Sequence, residues 1–201
     1  MRISATQIDA FVRWQKNEDA PLEEIVDYLR KRTPPTDAMR AGTAFHKVLE
    51  HSSYGEIERA EQDGFTFDLS GLDCTLDLPE IRELKLECLT VIAGFPVTVV
   101  GVVDAQRARG VYDHKLTSRF DAERYADSYQ WRCYVHWFGY DWMRYNVFEA
   151  HQPADTPNLY QVRQFHPLTF TRYPEIGADV DRVSREFVLF LRAYVPELAA
   201  V

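Results

Sequence analysis

An α/β (α+β) fold, a mixed central sheet flanked by helices with an αβββαβ core, is what this sequence predicts. Three observations carry that expectation. Amphipathic helical spacing fills the first fifty residues, the apolar period switches to two between about 82 and 118, and helical spacing returns from 121 before two extended runs and a closing helix. At 201 residues, 46% hydrophobic and 13% aromatic, the chain suffices for one domain with a sizeable core.

The first helix is signalled by Ser4 and Gln7, which form a capping box, and by Ile3 and Ile8, placed for a hydrophobic staple. Ile8, Phe11 and Val12 give it one apolar face. A second helix near 21–31 stops at the prolines of RKRTPP, with Arg30, Lys31 and Arg32 at its negative end. The third runs through TDAMRAGTAFHKVLEHSS, with Thr36 or Asp37 as N-cap and Ala41, Ala44, Phe45, Val48 and Leu49 as its buried stripe. Gly42, His46 and Glu50 recur every four residues on it and line up along one side.

Residues 53–80 carry no readable pattern. After them ELKLECLTVI, FPVTVVGVVDA and VYDHKLT, separated by the turn pairs Ala93-Gly94 and Arg109-Gly110, predict a three-stranded antiparallel meander. DAERYADSYQWRCYVHWFG predicts a single helix capped by Asp121 and closed by Gly139. Strands at 142–149 and 159–170 follow, then a helix from Pro174 bearing Ile176, Val180, Val183, Phe187, Leu191 and Tyr194. One domain over 1–201 is expected: N-terminal helices (1–52), meander and helix (82–138), and C-terminal strands and helix (142–198).

Composition narrows the function. No run of 18 apolar residues occurs and MRISATQIDAF lacks the order of a signal peptide, so a cytoplasmic protein without a membrane segment is expected. Cys74, Cys88 and Cys133 are odd in number and widely spaced, which argues against a disulfide framework, a zinc knuckle or an iron–sulfur cluster. The net charge of −8 argues against a general sink for polyanions, although acids gathered around divalent ions count as negative in that sum.

Charged side chains weaken strands, so Asp104, Asp113 and Lys115 inside GVVDAQRARGVYDHKLTS need a reason. With Arg109-Gly110 as the turn, Ala108 faces Val111, Gln106 faces Asp113 and Asp104 faces Lys115, and the four polar side chains share one face. The carboxylates become diagonal neighbours at about 7–8 Å between backbone positions. An oxygen-bound divalent ion with ligands at about 2.0–2.2 Å can sit between such groups. Lys115 can then orient a water or neutralise charge growing on a phosphorus centre. The plain alternative is an Asp104–Lys115 cross-strand ion pair worth about 0.2–1 kcal/mol, which leaves Asp113 as an extra acid. Glu83-Leu84-Lys85 repeats the acid–any–lysine pattern without an acid ending the strand before it, and reads as exposed strand edge.

Here the sequence resembles the PD-(D/E)XK nuclease superfamily, and its RecB-like exonuclease branch in particular. ISATQIDAF resembles the branch's N-terminal helix, AGTAFHKVLE its Gly-x-x-x-His helix, GVVDAQRARGVYDHKLTS its Asp…Asp-x-Lys core, and QWRCY its Gln-x-x-x-Tyr helix. The resemblance covers about residues 1–135 and implies a restriction-endonuclease-like fold. It implies Asp104 and Asp113 as metal-binding carboxylates, the His114 carbonyl as a backbone ligand, His46 as a further ligand and Lys115 as the catalytic lysine. Gln130 and Tyr134, one helical turn apart, would flank the scissile phosphate. Glu50 reads as solvated.

RWQKNE stands where cluster-bearing relatives have Cys-Pro, so the iron–sulfur version of the fold is not expected. The implied activity is Mg²⁺- or Mn²⁺-dependent hydrolysis of DNA, at ends rather than internally, in recombination, repair or phage DNA processing. DNA is the implied partner, beside a recombinase, single-strand annealing protein or helicase, and an oligomer is compatible with it. Arg40, Lys47, Arg107, Arg119, Arg124 and Arg132 are candidates to track phosphates. A non-catalytic nucleic-acid-binding or scaffolding module, an RNA-directed or structure-specific endonuclease, and a hydrolase of small phosphate esters stay open as alternatives.

Overall fold

The computed structural model describes residues 1–52, 57–72, 76, 78–79 and 81–200. β1 (Arg2–Ser4) leads into α1 (Ala5–Lys16), α2 (Leu22–Leu29) and α3 (Asp37–His51). A hairpin of β2 (Arg59–Gln62) and β3 (Phe65–Asp68) precedes the meander of β4 (Ile81–Ile92), β5 (Phe95–Arg107) and β6 (Gly110–Thr117). Then come α4 (Ala122–Ala126), α5 (Tyr129–Trp137), β7 (Trp142–His151), β8 (Leu159–Thr171), α6 (Ile176–Tyr194) and α7 (Pro196–Ala199).

The strands form one eight-stranded mixed sheet in the order β1-β5-β6-β7-β8-β3-β2, with β4 paired to β5 outside that path. This is the mixed α/β architecture that the sequence predicts. β4 runs antiparallel along one edge of β5, from Ile81↔Gln106 to Ile92↔Phe95. The other edge is shared, by β1 in parallel at Thr98–Val100 and by β6 antiparallel at Ala105–Arg107. β6 and β7 lie parallel, which needs a crossover, and α4 and α5 supply it.

Helices cover both faces. Val147 and Phe148, consecutive on β7, fall in different apolar clusters, so they point to opposite sides of the sheet. On one side Ile8, Phe11, Val135, Phe187 and Leu191 from α1, α5 and α6 pack on Val97, Val99 and Val103 of β5. On the other, Ala41, Phe45 and Leu49 of α3 pack with Phe67, Phe148 and Val162. The helix starts follow local chemistry: Ser4 and Gln7 form the reciprocal capping box, and the side chains of Thr36 and Asp121 cap α3 and α4.

Four expectations need correction. The β5–β6 turn is Ala108-Arg109, closed by Arg107↔Gly110, and it is Ala108 that takes positive φ (49°). Gly110 is required for a different reason, since a Cβ there would lie 1.9 Å from Cε2 of the Trp142 ring. The single helix expected from 121 to 139 is two, because the Ser128 hydroxyl accepts from Gln130 N–H and starts a new helix. β1 and the β2–β3 hairpin went unread, although the hairpin turns on Asp63-Gly64, with φ of 51° and 84° at the two residues. The closing helix begins at Ile176 rather than Pro174. Cys88 and Cys133 are free thiols, and Cys74 lies outside the described residues.

Substituting Gly110→Ala drives a methyl into Trp142 and is expected to cost about 1–3 kcal/mol in a urea unfolding experiment. Gly42→Ala is its control: the site on α3 has nothing within 4 Å of the new Cβ, and the change should stabilise by about 0.5–1 kcal/mol.

Candidate active site

β5 and β6 pair beside their turn and then part. The rungs are Arg107↔Gly110, Gln106↔Val111 and Ala105↔Tyr112, so the same register carried one step further sets Asp104 opposite Asp113, not opposite Lys115. At that step the Asp104 carboxylate replaces a backbone partner, its Oδ2 accepting the His114 N–H at 2.5 Å. The β4 side gives way at the same level. Between Arg82↔Ala105 and Leu84↔Val103 the rung at Glu83 is missing, and Glu83 has φ of 50°. A left-handed non-glycine residue inside a strand costs on the order of 1–3 kcal/mol.

The two acids are approached by different helices. From α3, His46 Nδ1 lies 3.3 Å from Asp104 Oδ1. From α5, Gln130 Nε2 donates to Asp113 Oδ1 at 2.7 Å. Lys115 sits against Asp113 Oδ2, its ammonium 5.9 Å from the centre of the Tyr145 ring. Asp113 is 3% exposed and its Oδ2 has that ammonium beside it but no well-directed hydrogen bond. The acids therefore meet at the mouth of a split between strands, not as diagonal neighbours on one flat face.

Electrostatics separate the pair. Burial pushes the Asp104 pKa up, but the hydrogen bond and charge of His46 outweigh it and hold Asp104 at about 2. Asp113 stays above the ordinary carboxylate value because burial, reinforced by the Asp104 charge, exceeds the pull of Lys115. Burial lowers Lys115 and His46, and the neighbouring acids reverse both shifts. The His114 ring, buried against Phe148, is pushed down to about 4 by desolvation and is neutral at pH 7.

Among the described residues no three His, Cys, Asp or Glu side chains stand in position to hold a metal ion. Each acid has its own basic partner instead, His46 on Asp104 and Lys115 on Asp113. The donor chemistry nonetheless suits a hard divalent ion: a buried and a half-buried carboxylate, an imidazole, and in Asp113 Oδ2 a buried oxygen lacking a directed hydrogen bond. Of the expected ligands, His46 and Asp104 are thus in contact, whereas Asp113 is held by Lys115 and Gln130.

Tyr134 is committed to the sheet. Its hydroxyl accepts from Val102 N–H at 3.0 Å and donates to Val102 C=O at 2.6 Å, filling the stretch of β5 edge between the β1 and β6 rungs. The ring takes the space of a side chain at residue 101, where a Cβ would lie 2.4 Å from Cε1. Among the basic candidates, Lys47 pairs with Asp63 and Arg40 with Asp37, while Arg124 borders a 230 Å³ cavity that opens onto Lys115 and Gln130. Thr6, Arg13 and Tyr125 form other walls of it.

Two residues near the site escaped the sequence reading. Glu83 is half-buried, and Asp104, Glu50 and Asp113 add to burial in raising its pKa, so it is more than exposed strand edge. Arg82 closes the end of α3, with one guanidinium nitrogen 2.7 Å from the carbonyls of Leu49, Glu50 and Ser52. That nitrogen carries two protons, so at least one is shared between carbonyls. Helix C-terminal carbonyls invite such a cation, but nothing in an isolated arginine at the start of a strand announces it.

No family model matches the chain, and no curated protein matches it. Among solved structures, the crystal structure of SSO0001 superposes with a TM-score of 0.52 at 12% identity, over 94% of this chain and 76% of that one. That likeness shows the fold alone. LHK-Exo, an alkaline exonuclease from Laribacter hongkongensis, gives a TM-score of 0.48 at 14% identity over 98% of this chain and 91% of its own. Its complex with dAMP gives 0.47 at 14% identity, over 98% and 90%. Both lie too far from this chain to carry an argument.

Arg82→Ala should fray the last turn of α3 and destabilise the protein by about 1–3 kcal/mol in urea unfolding. Faster hydrogen exchange at the amides of 48–52 would locate the effect.

Proposed function

We propose that this protein is a divalent-metal-dependent deoxyribonuclease of the PD-(D/E)XK type and RecB-like branch that hydrolyses DNA phosphodiester bonds, acting on ends. One observation carries the reading: two carboxylates, one buried and one half-buried, and a lysine gathered at a split between strands, with an imidazole and a carboxamide delivered to the acids by flanking helices. Preference for ends follows from the sequence resemblance.

Asp104, Asp113, His46 and the His114 carbonyl would hold Mg²⁺ or Mn²⁺. Such an ion polarises a phosphoryl oxygen and makes bound water more acidic. The chain supplies the rest. Gln130 fixes the rotation of the Asp113 carboxylate, and the His114 N–H fixes that of Asp104. Lys115, as an ammonium, donates to the attacking water or to the oxygen on which charge grows, in a partly buried place where charge is poorly screened. Tyr134 contributes by keeping α5, and with it Gln130, against β5.

A second reading has one observation in its favour. Because each acid already has a basic partner of its own, the same residues could serve a non-catalytic nucleic-acid-binding module.

End-labelled linear and covalently closed circular DNA, incubated with purified protein and Mg²⁺ or Mn²⁺, separate the possibilities. Linear DNA should be degraded and circles spared, EDTA should stop the reaction, and Lys115→Ala or Asp113→Asn should slow it by about 10²–10³-fold with an unchanged circular dichroism spectrum. Wild-type protein that leaves linear, circular and single-stranded DNA and RNA intact would favour the binding module.

A further inference from the structure

Asp9, on α1, is 8% exposed and sits within the buried face of its helix, among Ala5, Ile8, Phe11 and Val12. A carboxylate in such a place needs partners. Its Oδ1 accepts from the Ser128 hydroxyl and from the Tyr129 N–H, both at 2.8 Å, across 119 and 120 residues of sequence. Its Oδ2 faces the Arg13 guanidinium at 3.3 Å.

These contacts fall on the first turn of α5. A helix start leaves N–H groups without intrahelical partners, and here Asp9 takes that of Tyr129 while the Ser128 oxygen takes that of Gln130 at 3.1 Å. The next residue in line is the site itself, because Gln130 is the donor that holds Asp113. Ser128 also lies 3.1 Å from the Tyr145 hydroxyl, and the Tyr145 ring faces the Lys115 ammonium. Adjacent helix residues differ by about 100° of rotation, so a small error in how α5 starts swings Gln130 away from Asp113.

We propose that Asp9 is a positioning residue for the candidate active site. Its carboxylate sets the start and rotation of α5, which holds Gln130 on Asp113 and, through Ser128 and Tyr145, supports Lys115. Its effect on activity rests on the nuclease reading, whereas its effect on Gln130 does not.

The test compares Asp9→Ala and Asp9→Asn, each with and without Gln130→Ala, by steady-state cleavage of linear duplex DNA and by the NMR resonances of the Gln130 side-chain amide. Asp9→Ala should lower kcat at least tenfold with KM within threefold, and should shift the Gln130 resonances. Asp9→Asn keeps an oxygen acceptor and should restore both to near wild type. Once Gln130 is already alanine, adding Asp9→Ala should cost less than twofold.

An equal loss with and without Gln130, or Gln130 resonances unmoved in Asp9→Ala, would overturn the proposal. If Asp9→Ala does not fold, Ser128→Ala replaces it, with a loss of at least threefold and the same dependence on Gln130. If wild-type protein cuts no nucleic acid, the nuclease reading fails, and the Gln130 resonances alone decide for or against Asp9.

Discussion

Two carboxylates that share a buried split in a sheet cannot both keep their charge without compensation, and the structure around β5 and β6 supplies it. The split opens where Asp104 turns inward to accept the His114 N–H. From there the assignments differ for the two acids. His46 keeps Asp104 ionised, with a pKa of about 2, while Asp113, more deeply desolvated, is held by Gln130 and Lys115 and remains raised. A pair so close in space and so different in proton affinity suits a place where positive charge is brought in.

The rest of the fold keeps that split in place. Hairpin strands left to themselves go on pairing, so parting β5 from β6 after three rungs requires other partners for the freed backbone. Tyr134 satisfies Val102, β1 takes the segment at 98–100, and on β6 the His114 N–H goes to the Asp104 carboxylate. On the α3 side Arg82 ties the helix end that follows His46 to β4, beside the left-handed Glu83. The strain at Glu83 lies on the same rung as Asp104, which is where a regular ladder would have closed the site.

Much of this was legible in the sequence, and the failures have physical causes. Periodicity located the meander, α3 and α6 because each buries a regular face, and the mixed sheet was implied by the family resemblance. Asp113 and Lys115 stood out as charges inside an apolar strand. The turn was placed one residue late, and every cross-strand partner therefore two residues off, because Gly110 looked like a turn residue, while its lack of a Cβ serves Trp142 instead. A turn of even length kept the parity of the strands, so Asp104 still arrived beside Asp113. β1 is three residues long and takes its conformation from β5, and such a segment has no period to read. Asp63-Gly64 was a readable hairpin signal. Arg82, Glu83 and Asp9 act across long sequence distances, and only the fold brings them to the helix ends and the rung where they matter.

The central claim, that the split between β5 and β6 is a seat for a divalent ion, is tested most directly by calorimetric titration of Mn²⁺ into wild-type protein and into Asp104→Asn. Saturable binding in the wild type that disappears in the variant is the predicted result. Identical isotherms for the two proteins, or no binding to the wild type, would contradict it.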